Sequence, residues 1–312
     1  MNIRFWGVRG SIATPVNNAT LTEKIETAVR EGVKAGLTHE DQVPEFVSSL
    51  PWHIRNTAGG DTACVEIQAG DKILILDAGT GMRPLGMDLL QRFKGEPFES
   101  HILITHTHWD HVSGIPFFVP AFNPKNKLII YGLHEDLEDR LRQQQDFIFF
   151  PVPLNPTFRF VHLELGKLFQ IGDIEIETAS LNHPGDCYAY RITYAGKTVV
   201  YATDSEYKEL STDALKPFTD FFHHAEVLIF DAQFTILENI EKEDWGHSNA
   251  FIGIDMAIKA GVKKLVFTHH DPAYSDYQLW EMLERARGYL SIYHPEERPE
   301  VYLATEGLSL TI

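Results

Sequence analysis

Six short apolar runs in this chain each end on a histidine or an aspartate. Lys72–Leu76 closes on Asp77-Ala78-Gly79-Thr80-Gly81, and Ile102–Thr105 on His106-Thr107-His108-Trp109-Asp110-His111. Ile174–Ser180 runs to His183, Thr198–Ala202 to Asp204, Val227–Phe230 to Asp231, and Leu265–Phe267 to His269. Runs this short, rich in Val and Ile and closed by turn residues, read as strands. A sheet holds the loops at its strand ends rigidly, so six such ends predict one rim on which ligand-type side chains converge.

Helical patterns lie between the strands. Thr20-x-x-Glu23 reads as a capping box before Leu21, Ile25 and Val29. Ser248 is placed as the cap of a helix through Phe251, Ile254, Met256 and Ile258, and Ser275 as the cap of one through Leu279, Met282, Leu283 and Ala286. Strands and helices intermix with no clean boundary, which favours a single layered α/β domain over residues 1–312. Two stretches read as insertions: a polar, partly helical excursion at about 16–55, and residues 134–160 with the aromatic segment DFIFFPVPLNPTFRF. That segment is expected to be core or oligomer packing ahead of a lid; a homodimer is one outcome.

The chain has 27 Lys and Arg against 44 Asp and Glu, a formal net charge of −17, and no run of basic residues. Long nucleic acid is therefore disfavoured as a partner. A small anionic substrate held by metal ions stays open, because a bound ion dominates the local field. The two cysteines, Cys64 and Cys187, make no CxxC pair and read as reduced thiols. The opening MNIRFWGVRGSIATP has no apolar h-region, and no stretch approaches the roughly 18 apolar residues of a membrane span. The expectation is a cytoplasmic protein without membrane contact.

Thr105–His111, THTHWDH, carries the strongest chemical signal. In an extended segment His106 and His108 can point the same way, and Asp110 and His111 follow at the turn into a helix. Four ligand-type side chains within six residues can serve two ions. Imidazole and carboxylate donors without thiolate suit two divalent ions, zinc first, with manganese or iron as alternatives. His183, Asp204 and His269 sit on the same inferred rim. Each alone has an ordinary structural reading; together with the motif they complete the count for a binuclear site.

THTHWDH with downstream His183, Asp204 and His269 resembles the metallo-β-lactamase superfamily. The resemblance covers nearly the whole chain apart from 16–55, and implies a four-layer αββα sandwich with metals at one edge of its two sheets. By resemblance His106, His108 and His183 would hold one ion, Asp110, His111 and His269 the other, and Asp204 would bridge both. Asp77, in LDAGTG, would orient the metal loop from behind it. His108 stands where the redox flavo-diiron branch typically carries glutamate. IFDAQF (229–234) and GHSN (246–249) resemble paired segments of ribonuclease Z and related phosphodiesterases, in which an acidic residue orients a histidine beside the leaving group. By position these are Asp231 and His247. Phe230 precedes Asp231, where ribonuclease Z usually shows histidine. GVRGS, GGDT and HHDP resemble a bacterial ribonuclease Z-like, or cyclic-phosphodiesterase-like, subgroup.

The resemblance thus implies a binuclear hydrolase, first a phosphodiesterase acting on a small nucleotide or cyclic phosphodiester. A metal-bridging hydroxide would attack, His247 would act as general acid, and Asp231 and Asp110 would complete the catalytic set. The alternatives are an acyl hydrolase (lactonase or thioesterase) on the same metals and a tRNA 3′-processing endonuclease. A metal-binding sensor or scaffold is disfavoured by the complete ligand set. His247 competes with a plain structural reading beside the Ser248 cap. Tyr190, Arg191, His223, His224, His270 and Asp271 read as structural, turn or supporting residues.

Overall fold

The computed structural model describes residues 1–294, 296 and 299–312. The first sheet contains β1 (Asn2–Gly7), β2 (Cys64–Ala69), β3 (Lys72–Leu76), β4 (Glu99–Leu103), β5 (Lys127–Gly132) and β6 (Phe158–His162). The second contains β7 (Phe169–Ile171), β8 (Ile174–Leu181), β9 (Cys187–Tyr194), β10 (Lys197–Ala202), β11 (Val227–Asp231), β12 (Lys264–Thr268) and β13 (Glu300–Leu303). The last strand, β14 (Ser309–Thr311), returns to the edge of the first sheet. The orders are β14-β1-β2-β3-β4-β5-β6 and β13-β12-β11-β10-β9-β8-β7. Each sheet is antiparallel at one end and parallel at the other, over β3 to β6 in the first and β10 to β13 in the second.

The helices are α1 (Asn18–Lys34), α2 (Val43–Ser49), α3 (Trp52–Arg55), α4 (Met82–Phe93), α5 (Trp109–Val112), α6 (Leu137–Gln144), α7 (Thr212–Phe222), α8 (Ile236–Glu241), α9 (Ala250–Lys259) and α10 (Asp276–Tyr293). The strand β3 shows why the layers form. Its sequence KILIL is apolar on both faces, the pattern of a strand covered on both sides. Leu74 and Leu76 join the core between the sheets, with Ile3, Phe5, Ile67, Ile176 and Ile192. Ile73 and Ile75 face the other way, onto Met82, Leu85 and Leu89 of α4. On the second sheet α9 lies over β11 and β12 and packs against α7 and α10. Two mixed sheets face to face with helices outside give the αββα sandwich that the resemblance implies.

Helix starts differ in detail from the sequence reading. The cap of α1 is Asn17, whose side chain accepts from Thr20 N at 2.9 Å, so Thr20 lies inside the helix. The cap of α9 is Asn249, accepting from Phe251 N and Ile252 N, and not Ser248. Asn249 is the last residue with extended backbone (φ −127°, ψ 163°) before the helix, so its side-chain oxygen meets both free N–H groups; Ser248 lies one residue too early, and its hydroxyl is buried without a partner. Ser275 caps α10 in a capping box with Gln278. The stretch 16–55 forms α1, a 3₁₀ turn at Glu40–Gln42, α2 and α3. In the aromatic segment Leu154 and Phe158 are buried, but Phe147, Ile148 and Phe149 stand out into solvent, so the tip is not core. Among the described residues, no helix is long and apolar enough to cross a membrane.

Candidate metal centre

Every one of the six strand ends delivers its polar residue to one place. Asp77, Asp204 and His269 each leave their strand with a positive φ, of 58°, 53° and 61°. Left-handed backbone at a non-glycine residue costs of order 1–3 kcal/mol and persists only where the surroundings over-determine it. Asp and His tolerate it better than most residues. Here it occurs at three of the six strand ends that meet at the site, those of β3, β10 and β12.

Asp77 is fully buried and organises the motif loop. Its Oδ1 accepts from Thr105 N at 2.8 Å, and its Oδ2 accepts from Tyr201 Oη at 3.0 Å. His111 Nδ1 lies 2.8 Å from the same Oδ2, which fixes the ring and leaves His111 Nε2 facing the centre. There it meets His269 Nε2, Asp110 Oδ2 and Asp204 Oδ2, each at 3.3 Å. His269 Nε2 is 3.0 Å from Asp110 Oδ2 and 3.3 Å from Asp204 Oδ2. A second group forms beside it: His183 Nε2 lies 3.0 Å from His108 Nδ1, with His106 alongside. Asp204 Oδ2 is 3.7 Å from His106 Nε2 and 3.8 Å from His183 Nε2, so this one oxygen faces both groups. The ligand atoms of His106, His108 and His183, and those of Asp110, His111, Asp204 and His269, fall within 4.8 Å of one another in each group.

The donor set fits cations. Asp77, Asp110, Asp204 and Asp231 are buried together, and burying several carboxylates is costly without compensating positive charge. His106 Nε2 is buried without any hydrogen-bond partner, and burial holds its imidazole neutral with the pKa well below the ordinary range. Burial likewise lowers His108 and His183, keeping lone pairs free. At His111 and His269 burial works in the same direction. It is outweighed by the surrounding carboxylates, Asp204 first, which raise His111 well above its ordinary value and His269 to about 9. Without an ion, the excess negative charge on that side is met by protons; a divalent cation would replace them.

His247 and Asp231 adjoin this centre. His247 Nδ1 lies 2.9 Å from Asp231 Oδ2, and its ring centroid is 5.1 Å from that of His183 and 5.0 Å from that of His269. Asp231 is held in turn by Gln233 N at 3.0 Å. The residues read as structural have such roles: Tyr190 Oη donates to Ile104 O, Arg191 to Phe221 O, and His270 Nε2 to Ala304 O.

Several supporting groups escape a reading by motif. Ser11 N donates to Asp110 Oδ2 at 2.7 Å, and Gly246 O accepts from His183 Nδ1 at 2.9 Å. A Cβ at Gly10 would lie 2.4 Å from the His269 ring, and one at Gly246 2.3 Å from His183. Both glycines sit in segments legible as motifs, GVRGS and GHSN. Their function as cradles for two imidazoles needs the fold to be seen.

Residues 72–270 match the beta-lactamase superfamily domain. The chain belongs to this superfamily, a class of metal-dependent hydrolases, and its sandwich is the metallo-β-lactamase fold. It is 24% identical over 236 residues to a ribonuclease Z of Oceanobacillus iheyensis, covering 60% of this chain and 76% of that one. It is 27% identical over 211 residues to a probable metallo-hydrolase, YhfI, of Bacillus subtilis, covering 65% and 77%. The crystal structure of the YhfI metallo-β-lactamase fold protein superposes with a TM-score of 0.63 at 20% identity, over 99% of this chain and 98% of that one.

Proposed function

We propose that this chain is a binuclear metal-dependent phosphodiesterase that acts on a small nucleotide or cyclic phosphodiester. The observation that carries this reading is the His247–Asp231 pair, 2.9 Å apart, beside two groups of metal-type ligands. In this reading His106, His108 and His183 would hold one ion and Asp110, His111 and His269 the other, with Asp204 standing between the two groups. Nitrogen and oxygen donors without thiolate put zinc first, ahead of manganese or iron. When bound, such a pair of ions lowers the pKa of a water and neutralises phosphoryl oxygens.

The chain's own residues supply the rest. Asp231 holds His247 through Nδ1 and leaves Nε2 free to face the scissile bond. As the P–O bond breaks, the proton of His247 Nε2 passes to the departing oxygen, a contribution of about 10²–10⁴-fold. Asp231 stabilises the imidazolium before that transfer and fixes the tautomer after it. Asp110, held by Ser11 N, keeps one carboxylate oxygen beside His269. The net charge of −17 supports a small substrate over a long polyanion, although ribonuclease Z is among the relatives.

The test is elemental analysis after metal loading, with turnover of bis-(p-nitrophenyl) phosphate, cyclic nucleotides, a lactone and a thioester measured side by side. About two ions per chain and turnover of the diesters are expected. One ion or none rejects the binuclear site, and turnover confined to the lactone or thioester makes the protein an acyl hydrolase. Tight binding and 3′ cleavage of precursor tRNA at physiological salt would make it a tRNA-processing enzyme.

A further inference from the structure

Ser11 stands at a tight bend in the loop that follows β1. Its φ is 63°, and Ile12 N donates to Gly10 O across it at 2.7 Å. A three-residue turn closed through a residue of positive φ is rare and strained, and such strain persists where the surroundings impose it. Two contacts impose it here. Ser11 N donates to Asp110 Oδ2 at 2.7 Å, and Ser11 Oγ accepts from Gln233 Nε2 at 3.2 Å. Gln233 is buried, and its own N donates to Asp231 Oδ1 at 3.0 Å. Ser11 therefore touches one ligand-type carboxylate with its backbone and, through Gln233, the carboxylate that holds His247. Oγ is three bonds from Ser11 N, so it stands within roughly 6.5 Å of Asp110 Oδ2. That carboxylate oxygen is itself 3.0 Å from His269 Nε2 and 3.3 Å from His111 Nε2. Ser11 is exposed to solvent, while Asp110, Asp231 and Gln233 are buried. A hydroxyl has one proton to donate and two lone pairs. Gln233 takes a lone pair, and among the described residues no protein group accepts the proton.

We infer that the Ser11 hydroxyl donates to a non-bridging oxygen of the phosphoryl group, with Gln233 as the positioning residue that holds it there. The inference rests on the phosphodiesterase reading and adds a contact to the reacting group. Its reason is the chemistry of the surroundings. Asp110, Asp204 and Asp231 offer only acceptors when ionised, so a phosphoryl oxygen that approaches them needs donors. A neutral hydroxyl supplies one without changing the charge available to cations. A donor held in place before the substrate arrives costs no reorganisation as charge develops on that oxygen.

The test uses thymidine 5′-(p-nitrophenyl phosphate) and the Rp and Sp diastereomers of its phosphorothioate, in which sulfur replaces one non-bridging oxygen or the other. Sulfur accepts a hydrogen bond weakly, so the fall in kcat/KM from oxygen to sulfur contains the Ser11 contact for one diastereomer only. Ser11→Gly removes the hydroxyl, keeps the N–H to Asp110 and suits the left-handed backbone. We expect it to keep the wild-type metal content and to lower kcat/KM on the oxygen diester by about tenfold or more. The sulfur penalty should shrink by a similar factor for one diastereomer and stay unchanged for the other. Gln233→Met keeps the side-chain length without the amide and should alter the same diastereomer in the same direction by less; no change there removes Gln233 from the inference. A penalty unchanged, or changed equally for both diastereomers, overturns the Ser11 contact while the phosphodiesterase reading stands. Loss of metal in Ser11→Gly also overturns it and makes Ser11 a support for Asp110. Calorimetric binding of inorganic phosphate to the metal-loaded protein separates the two claims. Phosphate bound about tenfold more weakly by Ser11→Gly, with no diester turned over by the wild type, keeps the contact and rejects the phosphodiesterase. Neither phosphate binding nor turnover rejects both.

Discussion

His247 is the residue whose chemistry separates the readings most sharply. If Nε2 protonates the leaving oxygen, its loss matters in proportion to the basicity of that oxygen. His247→Ala is expected to keep its metals and lose about 10²–10⁴-fold in kcat on a diester with a nucleoside alkoxide leaving group. The loss on a p-nitrophenyl diester should be small, because that phenolate departs unaided. Asp231→Asn should show the same dependence more mildly, since the ring stays but its orientation is no longer enforced. Kinetics of both variants on the two leaving groups, with metal content measured in parallel, check this. An equal loss on both substrates would leave His247 as a positioning residue.

Elements position the site through their ends. The segment between α8 and α9 carries His247 only two residues before the Asn249 cap; Asn249 Nδ2 donates to Asn239 Oδ1 and Asn239 Nδ2 to His247 O, so the cap that starts the helix is tied to the backbone of the general-acid candidate. Asn249→Ala removes the acceptor for two N–H groups and is expected to lower stability by about 1 kcal/mol. Ser248→Ala should have a smaller effect, because its hydroxyl makes no cap bond. Urea denaturation of the two variants settles the order; a larger effect for Ser248→Ala would contradict the observed cap. On the opposite side of the centre, Arg9 ties the first loop to two others. It donates to Gly59 O, Asp271 O and Tyr274 O, and so holds Gly10 against His269 and Ser11 N against Asp110. Three segments far apart in the chain thus share one buried guanidinium.

At the scale of the molecule, buried imidazoles make the stability of the metal-free protein depend on pH from both sides. Burial pushes His270 down to about 3. Its folded value lies below the unfolded one, so its contribution is whole above about pH 6.5 and is lost as the pH falls toward 3. His269 is raised to about 9, burial being overcome by Asp204, Asp110 and Asp231. Its contribution is whole below about pH 6.5 and is lost as the pH rises through 9. With chelator present, Tm is expected to peak near neutral pH and decline on both flanks. After metal loading the alkaline decline should vanish, because a cation replaces the proton, and Tm should rise overall. Thermal melts from pH 4 to 10, with and without chelator, measure this. A flat profile in chelator would mean that these imidazoles carry no such linkage.

The sequence alone determined the local facts: where short strands end, which donor types stand at those ends, and which family pattern they resemble. Those are legible because a strand end, a turn residue and a histidine spacing are properties of a few adjacent residues. The two-sheet sandwich was reachable through the resemblance, and the layers of β3 through its unbroken apolar run. Tertiary structure decided what depends on residues distant in the chain. It alone joined Ser11 to Asp110, Gly10 to His269, Gly246 to His183, and Tyr201 to Asp77. It chose Asn249 over Ser248 by where the backbone turns helical, and it left Phe147 and Phe149 in solvent where their apolarity alone argued for burial. Periodicity states that a side chain is apolar; only the folded chain settles whether another surface arrives to cover it.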